Sequence, residues 1–136
     1  MHVDVPRVEY HKLIDDRPAE SSAVVRERVV AVRELQRRRF AVDEPEAHYA
    51  GFRFDGAPRG ARCNGEMNAD DVRRFCRPTR EGADLLQAGM RQLGLSARAF
   101  HRVLKLARTI ADLEGVETID VPQLAEALQY RPREVG

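Results

Sequence analysis

The segment Leu95–Gly115 constrains this chain more than any other, because it carries the start, body and end of a helix in one run. Ser96 offers a side-chain oxygen to the orphan N–H groups of a first turn. Gly115 is free to take the left-handed conformation that closes a helix. Between them Phe100, Val103, Leu104, Ala107, Ile110 and Ala111 recur at helical spacing and form an apolar stripe. Arg98, Arg102, Lys105, Thr109 and Asp112 fall on the opposite side, where the pattern predicts solvent. Arg98 stands in the first turn, where the macrodipole favours anions. An anionic partner removes that conflict, since helix N-termini and guanidinium forks both suit phosphate.

The segments around this helix read as further helices. One starts near Ser21 or Ser22 and runs to about Phe40, with Val25, Val29 and Val32 on one face and Val24 and Leu35 beside it. Its last turn holds Arg37, Arg38 and Arg39. A cationic helix C-terminus is explained by the dipole alone; the sharper alternative is contact with DNA phosphates. Residues 41–66 hold Pro45, Gly51, Gly56, Pro58, Gly60 and Gly65 without periodicity, which predicts a long irregular loop. Tyr49, Phe52 and Phe54 suit pinning it to the body, or, with Arg53, Arg59 and Arg62, stacking on single-stranded nucleic acid. Asn68 caps a short helix with Asp70 and Asp71 in its first turn and Val72, Phe75 and Cys76 facing inward. Thr79 caps a helix over about 80–93, its stripe formed by Ala83, Leu86, Met90 and Leu93 and its end by Gly94. The short link to Ser96 predicts that this helix and the next pack antiparallel.

After Gly115, residues 116–119 read as extended. Asp120 and Gln123 form a capping box for a last helix with Leu124, Ala127 and Leu128 inward and Pro132 beyond it. At the other terminus residues 2–5 alternate up to Pro6, which reads as a short strand without a partner or as a frayed end. Asp15-Asp16-Arg17-Pro18 signals a turn. The sum is an all-α bundle of about five helices with a long irregular loop and that orphan N-terminal strand.

Composition narrows the function. The 136 residues suit one domain with a core, 43% are apolar and 33% charged, and the net charge is only +1. That balance argues against a generally basic nucleic-acid binder while leaving local patches open. No window is apolar enough to span a bilayer and the N-terminus is not a signal peptide, so no membrane partner is expected. Two cysteines, Cys63 and Cys76, are too few for a disulfide scaffold and suggest a reduced, cytoplasmic protein. These thiols and His2, His11, His48 and His101 show no zinc-ligand spacing, so no metal site is expected. No nucleophile stands in a GxSxG setting, and no catalytic residue is assigned within the chain.

Several blocks in series carry a resemblance. The Leu95–Gly115 stretch and Ala125–Arg131, preceded in order by His2-Val3-Asp4-Val5-Pro6-Arg7-Val8, Glu20-Ser21-Ser22 and Val25-Arg26-Glu27-Arg28-Val29, closely resemble the C-terminal part of magnesium-chelatase-like AAA+ ATPases of the ComM type. The P-loop and Walker B strand of that family are missing here. The resemblance implies that residues 1–20 are an extended segment leaving a missing N-terminal AAA+ core. Residues 21–136 are then the helical lid, with its loop at about 41–66. It implies ATP with Mg2+ as cofactor of the full-length protein, neighbouring subunits of a hexamer as partners, and DNA branch migration as the work done, with porphyrin metallation subordinate. Arg98 then resembles a sensor-2 arginine reaching the γ-phosphate, with Arg102, one turn on, as a second phosphate or inter-subunit contact. The lid alone is not expected to hydrolyse ATP or to hold it. The alternative is a stand-alone helical module that binds nucleic acid or protein through the arginine-rich first helix and the loop.

Overall fold

A computed structural model describes residues 1, 3, 5, 7, 19–41 and 61–130. Of the expected strand at 2–5 only Val3 and Val5 are described, neither in a strand; the Asp15–Pro18 turn, most of the 41–66 loop with its aromatic residues, and the histidines other than His101 lie outside the described residues. Five α-helices are described: α1 (Ser22–Ala41), α2 (Ala69–Phe75), α3 (Arg80–Leu93), α4 (Ala97–Glu114) and α5 (Val121–Gln129). A single 3-10 turn, Asn64–Glu66, precedes α2, so the tail of the expected loop is ordered. No strand occurs among the described residues; the one bridge joins Pro78 and Ile119. The architecture is all-α, as the periodicity predicts.

Local chemistry sets the helix ends. Ser96 Oγ accepts from the Ala99 N–H at 3.2 Å, and Gly115 ends α4 with φ +72°. Asn68 and Asp71 close a reciprocal capping box on α2, and Asp120 and Gln123 close another on α5. Each box satisfies donors that the first turn of a helix leaves without partners. Thr79 caps α3 and also donates from Oγ1 to Asp120 Oδ1 at 2.5 Å, so one side chain binds the starts of two helices together.

The core is built on α4. Val103, Leu104, Ala107, Ile110 and Ala111 are buried, and α5, the 3-10 turn, α1 and α2 all pack against this helix. Ile119, just before α5, and Leu124, within it, are both fully buried. Phe40, from the last turn of α1, meets Phe75 of α2 edge-on with ring centroids 5.5 Å apart.

Two expectations are corrected. First, α3 does not pack chiefly on α4; its main partner is α5, which α4 also holds. Second, the inward face of α3 is shifted by one residue: Gly82, Leu86 and Gly89 are buried, and Ala83 is exposed. The cause is close approach, because a Cβ on Gly82 lies 2.9 Å from Leu124 Cδ1 and one on Gly89 lies 3.4 Å from Leu128 Cδ1. In α1 only the C-terminal end is inside. Gln36 and Phe40 are buried, whereas Val25 and Val29, on the same side of the helix, are exposed.

Candidate functional site

Arg98 follows the Ser96 cap by two residues, so the cap and the buried stripe beneath it fix where the guanidinium starts. The side chain is exposed and has no hydrogen bond or ion pair among the described residues, and the same holds for Arg102. Glu81 and Asp84, the local carboxylates a purely structural arginine would seek, do not pair with it. Both arginines line an open groove along the outer face of α4, together with His101 and Lys105. Gly65 of the 3-10 turn and Tyr130 at the end of α5 also line it.

Arg98, Arg102 and Lys105 recur at four and three residues, which spans about 10 Å along the helix axis. No aspartate or glutamate is among the described residues lining the groove. Lys105 donates from Nζ to the Gly65 carbonyl at 3.1 Å, which draws its charge toward one wall. Tyr130, at the end of α5, donates to Glu126 at 3.1 Å, and that hydrogen bond raises the pKa of its phenol. The result is a surface with positive charge and, among its described lining residues, no carboxylate, suited to phosphate oxygens.

The arginine run of α1 splits. Arg37 and Arg38 are exposed and share Glu34 at 3.5 and 3.4 Å, contacts of little energetic weight in water. Arg39 is turned inward and takes both oxygens of Asp112, at 2.5 and 2.8 Å. Its guanidinium is thereby withdrawn from the surface that the sequence reading gave to DNA.

Asp112 itself is a correction: periodicity places it on the solvent face of α4, yet its side chain is fully buried. It accepts further hydrogen bonds from Arg108 Nε at 3.0 Å, Asn64 Nδ2 at 2.8 Å and Gln36 Nε2 at 3.4 Å. Arg108 spends its remaining nitrogens on the carbonyls of Val116 and Glu117, just past the end of the helix. Burial alone raises the pKa of Asp112, but the hydrogen bonds from Arg39 and Asn64, with the charges of Arg39 and Arg108, outweigh it and hold the carboxyl below its ordinary value. This network ties α1, the 3-10 turn and the end of α4 into one corner. Its signal in the sequence is the four-residue spacing of Arg108 and Asp112 on one helix; Arg39 and Asn64 come from segments too distant for any local pattern.

The thiols show no site chemistry. Cys76 is buried, its Sγ lies 3.5 Å from Met67 Sδ, and burial pushes its pKa up to about 11, far from a reactive thiolate. Among the described residues no three His, Cys, Asp or Glu side chains converge as a metal site, and no helix is long and apolar enough to cross a membrane.

Comparison with known proteins places this sequence in a family. The family described as magnesium chelatase, subunit ChlI C-terminal, matches residues 19–131. Over 112 residues the chain is 39% identical to competence protein ComM of Haemophilus influenzae, covering 82% of this chain and 18% of that protein. Over 114 residues it is 36% identical to the protein YifB of Escherichia coli, covering 84% of this chain and 19% of that one. The chain thus spans about a fifth of the length of these relatives. With nearly every described residue inside the matched region, the chain belongs to the magnesium chelatase ChlI C-terminal family.

Proposed function

We propose that this chain is the C-terminal helical lid of a ComM-type AAA+ ATPase and that Arg98 senses the γ-phosphate of ATP. The observation that supports it is the cationic groove on α4, where Arg98 and Arg102 have no partner among the described residues and no carboxylate is among the described lining residues. In this reading the remainder of a full-length protein holds most of the nucleotide and its Mg2+. A guanidinium suits the sensing task because it is permanently charged and forks onto phosphate oxygens. Because Arg98 is carried by the helix on which the core is built, release of its phosphate contact moves the packed helices together rather than a single side chain. Arg102 contributes a second contact, to phosphate or to a neighbouring subunit of a hexamer.

The test is Arg98→Ala in a full-length protein carrying the P-loop. ATP turnover is expected to fall by a factor on the order of 10 to 100. Unchanged turnover rejects the role. We further infer that the motion is exerted on DNA, with Arg37 and Arg38 as the exposed contacts. Replacing both by alanine is then expected to weaken DNA binding at low salt and to reduce its salt dependence by about two phosphate contacts. An unaltered salt titration removes DNA from the assignment.

A further inference from the structure

We propose that the outer part of α1, from Ser22 to Leu35, is embedded in the remainder of the same polypeptide, in a seat that closes around the helix instead of covering one side of it. Gln36 and Phe40 are the buried residues of α1, both near its C-terminal end, and every position from 22 to 30 is exposed. Val24 is 50% exposed and Val30 59%, and Val25, Val29 and Leu35 are open to a similar degree. At roughly 100° per residue these five fall on three sides of the helix, about a third of a turn apart: Val24 with Leu35, Val25 with Val29, and Val30 by itself. Each other helix exposes at most one large apolar side chain, Leu113 on α4 and Val121 on α5. A helix apolar on every side belongs to an interior.

What closes around it follows from where the rest of the protein attaches. The chain spans about a fifth of the length of its relatives, and the family it matches is a C-terminal region whose match begins at residue 19, just before α1. The rest of such a protein therefore joins this chain on the α1 side. The exposed large apolar side chains gather on that same side: among the described residues, all but Leu113, Val116 and Val121 lie at or before Leu35. A tethered segment meets α1 at an effective concentration on the order of millimolar, which a separate polypeptide does not reach. A lipid surface takes one apolar face and leaves the other in water. Nucleic acid would use the arginines and leave the valines wet. Arg26 and Arg33, without a partner among the described residues, fall between the Val29 and Val30 sides, so the seat carries carboxylates facing that edge. Arg37 and Arg38 lie beyond Leu35 and stay outside the seat. The proposal rests on the chain being the C-terminal piece of a longer protein, not on the nucleotide role of Arg98.

The experiment compares the 136-residue chain with a full-length protein that contains it. Val24→Cys, Val25→Cys and Val30→Cys, one for each side of the helix, are made singly and alkylated with N-ethylmaleimide, and the modification at each site is followed by mass spectrometry. In the 136-residue chain all three are expected to react at the rate of an open thiol. In the full-length protein each is expected to react at least about tenfold more slowly. Hydrogen exchange over residues 22–35 of the unsubstituted proteins needs no variant and is expected to slow in the full-length protein. Equal rates in the two proteins overturn the proposal. Protection at only one or two of the three positions overturns it as well, because a partner on one face then suffices. So does protection that disappears when the full-length protein is diluted to single subunits, which assigns the cover to a neighbouring subunit. Slow reaction in the 136-residue chain itself also overturns it, since a second copy then covers the helix. Arg98 is intact in every variant, so failure here leaves the nucleotide reading standing, and failure of Arg98→Ala leaves this one.

Discussion

At the C-terminal end of α4, Arg39 and Arg108 close on Asp112 inside the protein; about 20 Å away at the other end, Arg98 and Arg102 face an open groove with no carboxylate among its described lining residues. The same side chain type thus serves opposite ends. Where arginine is removed from water, every polar atom around it is satisfied: among the described residues no buried side-chain nitrogen or oxygen lacks a hydrogen bond. At Arg98 and Arg102, which stay in water, no hydrogen bond or ion pair among the described residues uses the charge. The contrast separates arginines that stabilise the domain from arginines available to something outside it.

The sharpest way to break this comparison is Asp112→Ala. Removing the carboxylate leaves two guanidinium groups in a buried corner, and urea unfolding is expected to show a loss of about 3–5 kcal/mol. A loss below about 1 kcal/mol means that the corner is solvated and the contrast false. Acid sharpens it. The Asp112 carboxyl has a lower pKa folded than unfolded, so folding favours its ionised form. Its contribution is complete above the ordinary carboxylate range, near pH 4, and is lost as pH falls through the folded value. Asp112→Asn is expected to flatten that acid limb of the stability curve.

A smaller effect is expected at the seat of α5. Gly82→Ala places a methyl 2.9 Å from Leu124 Cδ1 and 3.2 Å from Thr79 Oγ1, in a region with no free space, and is expected to cost about 1–2 kcal/mol. Gly89→Ala meets Leu128 at ordinary contact distance, 3.4 Å, and is expected to gain about 0.5 kcal/mol from helix propensity, which thermal melts can separate. Least of all, Arg98→Ala is expected to change stability by under about 0.5 kcal/mol. A larger loss of stability means that Arg98 is a structural residue, and its place beside Arg39 in the comparison then changes.

What the sequence revealed follows from the range of the interactions involved. The caps at Ser96, Asn68, Thr79 and Asp120 are chemistry between residues three apart, and each is present as read. The face of α3 was misread because glycine carries no hydropathy signal, although Gly82 and Gly89 are what α5 approaches. Asp112 was placed in solvent because a charge counts as outward in any periodicity; only its partners from residues 36, 39 and 64 make it an interior group. The valines of α1 are legible as one face of a helix, but a stripe announces an apolar face without saying what covers it. Arg98 was legible as an exposed cation in a first turn, and its surroundings agree, while its role rests on what lies beyond this chain.

The corner around Asp112 also bears on chemical ageing. Asn64 is followed by Gly65, the pairing in which the next backbone nitrogen most readily attacks a side-chain amide to give a cyclic imide and then a new acid. Here the Asn64 amide is clamped, its nitrogen on Thr109 and Asp112 and its oxygen under Arg39. Deamidation at this position therefore requires the corner to open first. Its rate, followed by mass spectrometry over days, works as a clock for how often α1 lets go of α4.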